Sequence, residues 1–177
     1  TPNRGDCLSH LGVARELGID AGVEVKRRAV ELNESTHSTS NAIKVTIADK
    51  DACPRYAARV VRGVKVGPSP QWLVDRLASI GQSSINNIVD AANYVLMDSG
   101  HPLHTFNLDT IVDNEIIVRF ANDGEKFTTL DNENRALNDF HLLICDGDKP
   151  IALAGIKGGI NSEITGIDKD IVYFIGR

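Results

Sequence analysis

The chain has 177 residues, 24 of them acidic and 19 basic, for a net charge of −5. That balance argues against a nucleic-acid binder that grips through a broad basic surface, and no apolar run approaches the ~20 residues needed to cross a bilayer. An apolar content of 42% suits one compact soluble domain or two small ones.

The opening TPNRGDCLSHLG lacks the charged-then-apolar layout of a signal peptide. Its Arg4-Gly5-Asp6 matches a cell-adhesion tripeptide only by chance. Cys7, Cys53 and Cys145 lie far apart, without CxxC or metal-ligand spacing, and read as free thiols of a reducing cytosol. Leu8, Leu11, Ala14 and Leu17 share a helical face that Gly18 ends. Residues 31–42, ELNESTHSTSNA, are polar and aperiodic, a linker with a strand Ile43–Ala48 after it. A domain boundary is placed near residue 50, dividing 1–50 from 51–177.

Tyr56–Val66 reads as a Val- and Ala-rich strand. Arg55, Arg59, Arg62 and Lys65 fall in an acid-free run there, either a solvated strand face or a contact for a phosphate backbone. Gly67-Pro68-Ser69-Pro70 turns into a helix Gln71–Ile80, with Trp72, Leu73, Leu77 and Ile80 expected in the core. A second helix spans Ser83–Asp98. Ile85, Ile88, Val89, Ala92, Val95 and Leu96 form its apolar face, with Ser83 or Ser84 as cap and Gly100 with Pro102 as stop.

At about 100° per residue, Asn86 and Asn93 lie within ~20° of each other on the flank of that face. The loop His101-Pro102-Leu103-His104-Thr105-Phe106-Asn107 follows. Asn93 either looks into a cleft or anchors the loop backbone, and His104 is either a functional imidazole or a hydrogen-bonded core histidine.

From Glu115 onward the pattern is strands and tight turns, with Phe140–Cys145 and Pro150–Ala154 flanking an Asp146-Gly147-Asp148 turn. Helices followed by strands predict an α+β fold with mixed or antiparallel sheets and packed helices in a three-layer arrangement. The glycines of Ala154-Gly155-Ile156-Lys157-Gly158-Gly159 let a backbone approach a ligand and present its N–H groups, or make a tight structural turn. The run is neither a P-loop nor a dinucleotide fingerprint. Histidines at 10, 37, 101, 104 and 141 have no ligand spacing, so no metal is expected.

Four segments in register resemble the β subunit of bacterial phenylalanyl-tRNA synthetase: TPNRGDCLSHLGVAREL, CPRYAARVVRGVKVGPSPQWLVDRL, INNIVDAANYVLMDSGHPLHTFN and IALAGIKGGINSEIT. The resemblance implies the central editing module, the third and fourth domains of that subunit, preceded by the end of its first domain. In that family the module hydrolyses tyrosine wrongly esterified to tRNA(Phe), because a phenylalanine pocket cannot strongly reject an isostere with an added hydroxyl. Position by position, the family's PLHAFD histidine matches His104 and its NY asparagine matches Asn93. The alanine and glycine of LAGxMGG match Ala154 and Gly155, which would line the amino-acid pocket. Asn86 and Pro102 are assigned to substrate binding beside them, and Arg55, Arg59 and Arg62 to tRNA.

The resemblance further implies a cytoplasmic α2β2 assembly with the α subunit, where ATP and Mg2+ serve aminoacylation. No cofactor, membrane or DNA is expected for this segment itself. Three positions depart from the family pattern. Ala92 stands for a threonine, Lys157 for the methionine of the glycine loop, and Phe174 for a glutamate that recognises the tyrosine hydroxyl. These departures keep open a scaffold or tRNA-docking module that has lost editing. A free-standing, trans-acting relative is a remoter alternative.

Overall fold

The computed structural model describes residues 3–27, 29–147, 149–159, 164 and 169–176. The chain forms two compact units that interleave along the sequence: Thr1–Thr36 with Gly67–His104, and His37–Val66 with Thr105–Arg177. The first crossing falls inside the polar stretch 31–42 that the sequence marks as a linker. Helices belong to the first unit and sheets to the second, an α+β fold.

In the first unit, α1 (His10–Ala21) is capped by Ser9, whose Oγ accepts from the Gly12 amide at 3.0 Å, and closed by Gly22 at φ 65°. Gly18, expected as the stop, lies inside this helix. A Cβ on Gly18 would stand 2.8 Å from the Val23 carbonyl oxygen, so glycine here serves close backbone approach.

The second helix, α2 (Gln71–Ser79), buries Leu73 and Leu77. Trp72, expected in the core, is 55% exposed, and Ile80 is 38% exposed. Two leucines four residues apart fill the stripe, which leaves Trp72 at its edge. There it packs edge-on against Tyr94 at 5.7 Å, with the Arg76 guanidinium 5.6 Å over its ring.

The third helix, α3 (Asn87–Ser99), buries Ile88, Asp90 and Ala92 and ends at Gly100, φ 82°. Its cap is Asn86 rather than Ser83 or Ser84. Ser84 instead donates its hydroxyl to Asp90 at 2.5 Å. Asp90, fully buried, also accepts from the Ser69 hydroxyl and from the Ile85 amide at 2.8 Å.

Among the described residues the strands, in the second unit apart from His104 at the start of β3, are β1 (Lys44–Ile47), β2 (Tyr56–Val61), β3 (His104–Asn107), β4 (Glu115–Phe120), β5 (Lys126–Thr128), β6 (Asn134–Ala136), β7 (Leu142–Asp146), β8 (Lys149–Leu153), β9 (Lys157–Gly158) and β10 (Ile171–Gly176). A five-stranded sheet runs β1-β4-β7-β8-β9; β1 and β4 are parallel and the other neighbours antiparallel. A three-stranded sheet runs β2-β10-β3, and β5 pairs with β6. The β2 strand stops short of the expected Val66, because Gly63 turns the chain at φ 66°.

Alternation along the strands covers both faces of the large sheet. Ile116, Ile144 and Ile151 pack with Phe106, Val172 and Phe174 of the three-stranded sheet. Leu143, Cys145 and Leu153 pack with Phe127 and Leu137 around the β5–β6 hairpin.

Asp90 gives a direct test of the first unit. Burial alone would push its carboxyl up, but hydrogen bonds from Ser69, Ser84 and the backbone at Ile85 and Asn86 outweigh that and hold it below the usual carboxylate range. A folded value below the unfolded ~3.9 contributes stability that is fully present above about pH 4 and is lost as pH falls through the folded value. Asp90→Ala leaves the surrounding donors unpaired and is expected to destabilise by roughly 2–4 kcal/mol in urea melts. The same variant should flatten the acid limb of the stability profile.

Candidate functional site

The candidate residues divide between the two units. Asn86, Asn93, Pro102 and His104 belong to the first; Arg55, Arg59, Arg62, Ala154 and Gly155 belong to the second.

On α3 the two asparagines have different duties. Asn86 Oδ1 accepts from the Ile88 and Val89 amides at 3.0 and 2.9 Å, so its carboxamide oxygen is committed to capping. Asn93, two turns on, is half-buried, and among the described residues no side-chain hydrogen bond holds it. Beyond the Gly100 cap, His101 and Pro102 are exposed and His104 is half-buried at the start of β3. Loss of solvent pushes the His104 imidazole below its ordinary value, which keeps it neutral near pH 7. A neutral ring offers one donor and one acceptor, the equipment for orienting a hydroxyl or a water.

In the second unit, Ala154–Ile156 form the turn between β8 and β9. Gly155 takes φ 70° there, and no atom lies within 4 Å of where its side chain would begin. The expectation that this loop presents a set of backbone donors is corrected. The Ala154 amide is spent on Leu142 O at 2.9 Å and the Ile156 amide on Leu153 O at 3.1 Å. Gly158 pairs with Ala152, and the Gly159 amide donates to Ile151 O at 2.7 Å. The later glycines are thus ladder residues, and Gly155 is where the turn meets open space. Asn161, Ser162 and Glu163, read from the same motif, lie outside the described residues, as does Asp148 of the β7–β8 turn.

Lys157, a cation expected beside the loop, is paired with Asp131 at 2.7 Å. Of the arginines, Arg55 and Arg59 are exposed. Arg59 stands opposite Tyr173 in register, on the face of β2 away from the core residues Tyr56, Ala58 and Val60. Arg62 pairs with Asp170 at 2.6 Å, and Asp170 also accepts the Gly63 amide, so this charge is largely answered within the protein. Phe174 is 1% exposed and packs on Tyr56 and Phe106 at ring distances of 5.3 and 5.4 Å. A carboxylate in its place would sit in an apolar core.

Among the described residues, one group has metal-ligand spacing: Asp6, Cys7 and Glu16. The Arg4 guanidinium already bridges Asp6 and Glu16 at 2.7 and 3.0 Å, and all of these acids are exposed. Sequence reasoning missed Asp90 and Asp131. By the helical period Asp90 falls opposite the apolar stripe, and Asp131 sits in a turn, so no local pattern signalled either.

Residues 52–175 match the B3/4 domain. The chain belongs to the B3/4 domain family. It is 51% identical over 172 residues to a phenylalanine–tRNA ligase β subunit of Syntrophotalea carbinolica, covering 97% of this chain and 21% of that protein. It is 52% identical over 164 residues to the subunit of the same name from Geobacter metallireducens, covering 93% and 20%. For that of Bacillus cereus the figures are 45% over 181 residues, 100% and 22%. The chain thus spans about a fifth of the length of these curated relatives. An N-terminal fragment of the phenylalanyl-tRNA synthetase β subunit of Pyrococcus horikoshii superimposes with a TM-score of 0.57 at 19% identity, over 98% of this chain and 52% of that one. At that identity the likeness speaks to fold.

For the B3/4 domain, the state of His104 can be read in solution. Its imidazole resonances should titrate with a midpoint below the ordinary ~6.5. A His104 midpoint at or above that ordinary ~6.5 would contradict the desolvated, neutral ring.

Proposed function

We propose that this B3/4 domain is part of a phenylalanine–tRNA ligase β subunit, where it hydrolyses tyrosine misattached to tRNA(Phe). The observation that carries the reading is His104. It is a desolvated, neutral imidazole at the start of β3, set in a sequence similar over nearly its whole length to such β subunits. In the proposed reaction, water adds to the ester carbonyl, the bond to the terminal ribose oxygen breaks, and the water proton ends on that oxygen. His104 orients the tRNA terminus or the attacking water, and Asn93 supplies a carboxamide donor in the same region. In the second unit, the resemblance gives Ala154 and the Gly155 turn a part in holding the amino-acid side chain.

Asn86 and Pro102 would contribute at the margins of this site, Asn86 through the amide nitrogen that capping leaves unspent. Arg55 and Arg59 would meet the tRNA backbone, and Arg62 less so because Asp170 holds it. The partner is the α subunit of an α2β2 ligase in the cytoplasm, with ATP and Mg2+ used there. A second reading, tRNA docking without editing, is favoured by Phe174, which fills the core at the position where the resemblance calls for a carboxylate.

Deacylation of Tyr-tRNA(Phe) by the assembled ligase separates the two. His104→Ala should slow it by roughly 10²-fold or more, with aminoacylation of phenylalanine unchanged. Equal rates for the two proteins remove the histidine from the chemistry. A wild-type ligase that binds tRNA but does not deacylate supports docking alone.

A further inference from the structure

The Gly155 turn could be held by its own strands alone, but the second unit ties it to a neighbouring hairpin by a polar chain that the reading above leaves unused. Three links join the β5–β6 hairpin to the stretch just after Gly155. Thr129 and Gly159 form an antiparallel bridge. The Leu130 amide donates to Gly158 O at 3.2 Å. Lys157 Nζ donates to Asp131 Oδ2 at 2.7 Å.

The acceptor of that last link is itself fixed from below. Thr129 is buried, donates its hydroxyl to Asp131, and accepts from Arg135 Nε at 3.3 Å. Arg135 also stands 3.6 Å from Asp131. The Asn132 amide closes the turn onto Thr129 O at 2.9 Å. Asp131 is therefore a prearranged carboxylate, and Lys157 reaches it from two residues beyond Gly155.

We propose that Lys157 and Asp131 act as positioning residues, clamping the hairpin to β9 so that the Gly155 turn keeps its open, left-handed shape for the amino-acid side chain. The inference rests on the editing reading for its substrate and on the three links above for its mechanics. Both side chains are more than a third exposed, and such pairs add little to global stability. The clamp's effect is local: it adds a side-chain tie to the two backbone links that already join the turns. Lys157 does not touch the reacting ester, so its loss should weaken substrate capture more than turnover.

The test uses the assembled ligase with Lys157→Met, Lys157→Arg and Asp131→Asn. Hydrogen–deuterium exchange of peptides spanning 126–136 should quicken about tenfold in Lys157→Met and Asp131→Asn and return toward wild type in Lys157→Arg. In deacylation of Tyr-tRNA(Phe), KM should rise about threefold to tenfold with kcat within about twofold, again rescued by arginine. Unchanged exchange in both loss variants overturns the clamp whatever the activity. Faster exchange with a fall in kcat and no change in KM overturns the positioning role. Faster exchange in a ligase whose wild type deacylates nothing overturns the editing reading and, with it, the turn's role toward substrate, while the mechanical tie stands.

Discussion

The first unit depends on one carboxylate out of water. Asp90 is buried on α3 roughly 160° around from Ile88 and Ala92, on the side the helical period leaves polar, and it is tolerated there only because donors surround it. Ser69 comes from before α2, and Ser84 and Ile85 from the stretch after it, so the carboxylate gathers both ends of the α2 segment onto the first turn of α3. The Gly67 and Asn87 backbones add a reciprocal tie: the Asn87 amide donates to Gly67 O at 2.9 Å, and Gly67 donates to the Asn87 side chain at 3.1 Å. With few fully buried apolar side chains on these helices, this polar knot carries weight that a larger core would otherwise take. It fixes where α3 begins, and through the rigid helix where Asn93 and the loop to His104 stand.

In the second unit the ordering principle is alternation on a sheet covered on both sides. A bulge between Ile144 and Cys145 lets β7 and β8 keep pairing while the residues around it serve different cores. The same alternation puts Arg59 outward and Phe174 inward. It therefore decides at once which side chains can meet an anionic partner and which cannot take part in recognition.

Much of this was legible in the sequence, for physical reasons. The α2 and α3 helices show in their 3.6-residue spacing, and β4 in its strict alternation, because burial on one face imposes those periods. The family resemblance led to His104, Asn93, Ala154 and Gly155. What stayed hidden was tertiary. Gly18 has the local signature of a helix stop, yet its lack of a side chain serves contact with the Val23 carbonyl. Ser84 is a good cap by type, but the buried Asp90 claims its hydroxyl and Asn86 caps instead. Trp72 looks like core by hydropathy, and only the positions of Leu73 and Leu77 show that it lies at the edge. Periodicity cannot report a polar group whose partners are many residues away, which is why Asp90 and the Asp131–Lys157 pair were missed.

The pairing of β2 with β10 sets an order of events during synthesis. Tyr56 sits opposite Gly176, and Val61 opposite Ile171, so this ladder closes across more than a hundred intervening residues. The helical unit has all of its elements once the chain has emerged through His104. Residues 37–66, by contrast, emerge early and must wait, with Tyr56, Ala58 and Val60 lacking the Phe174 and Val172 surface that later buries them. On a ribosome, that segment is a nascent stretch exposed to chaperones and to mispairing until the last strand arrives.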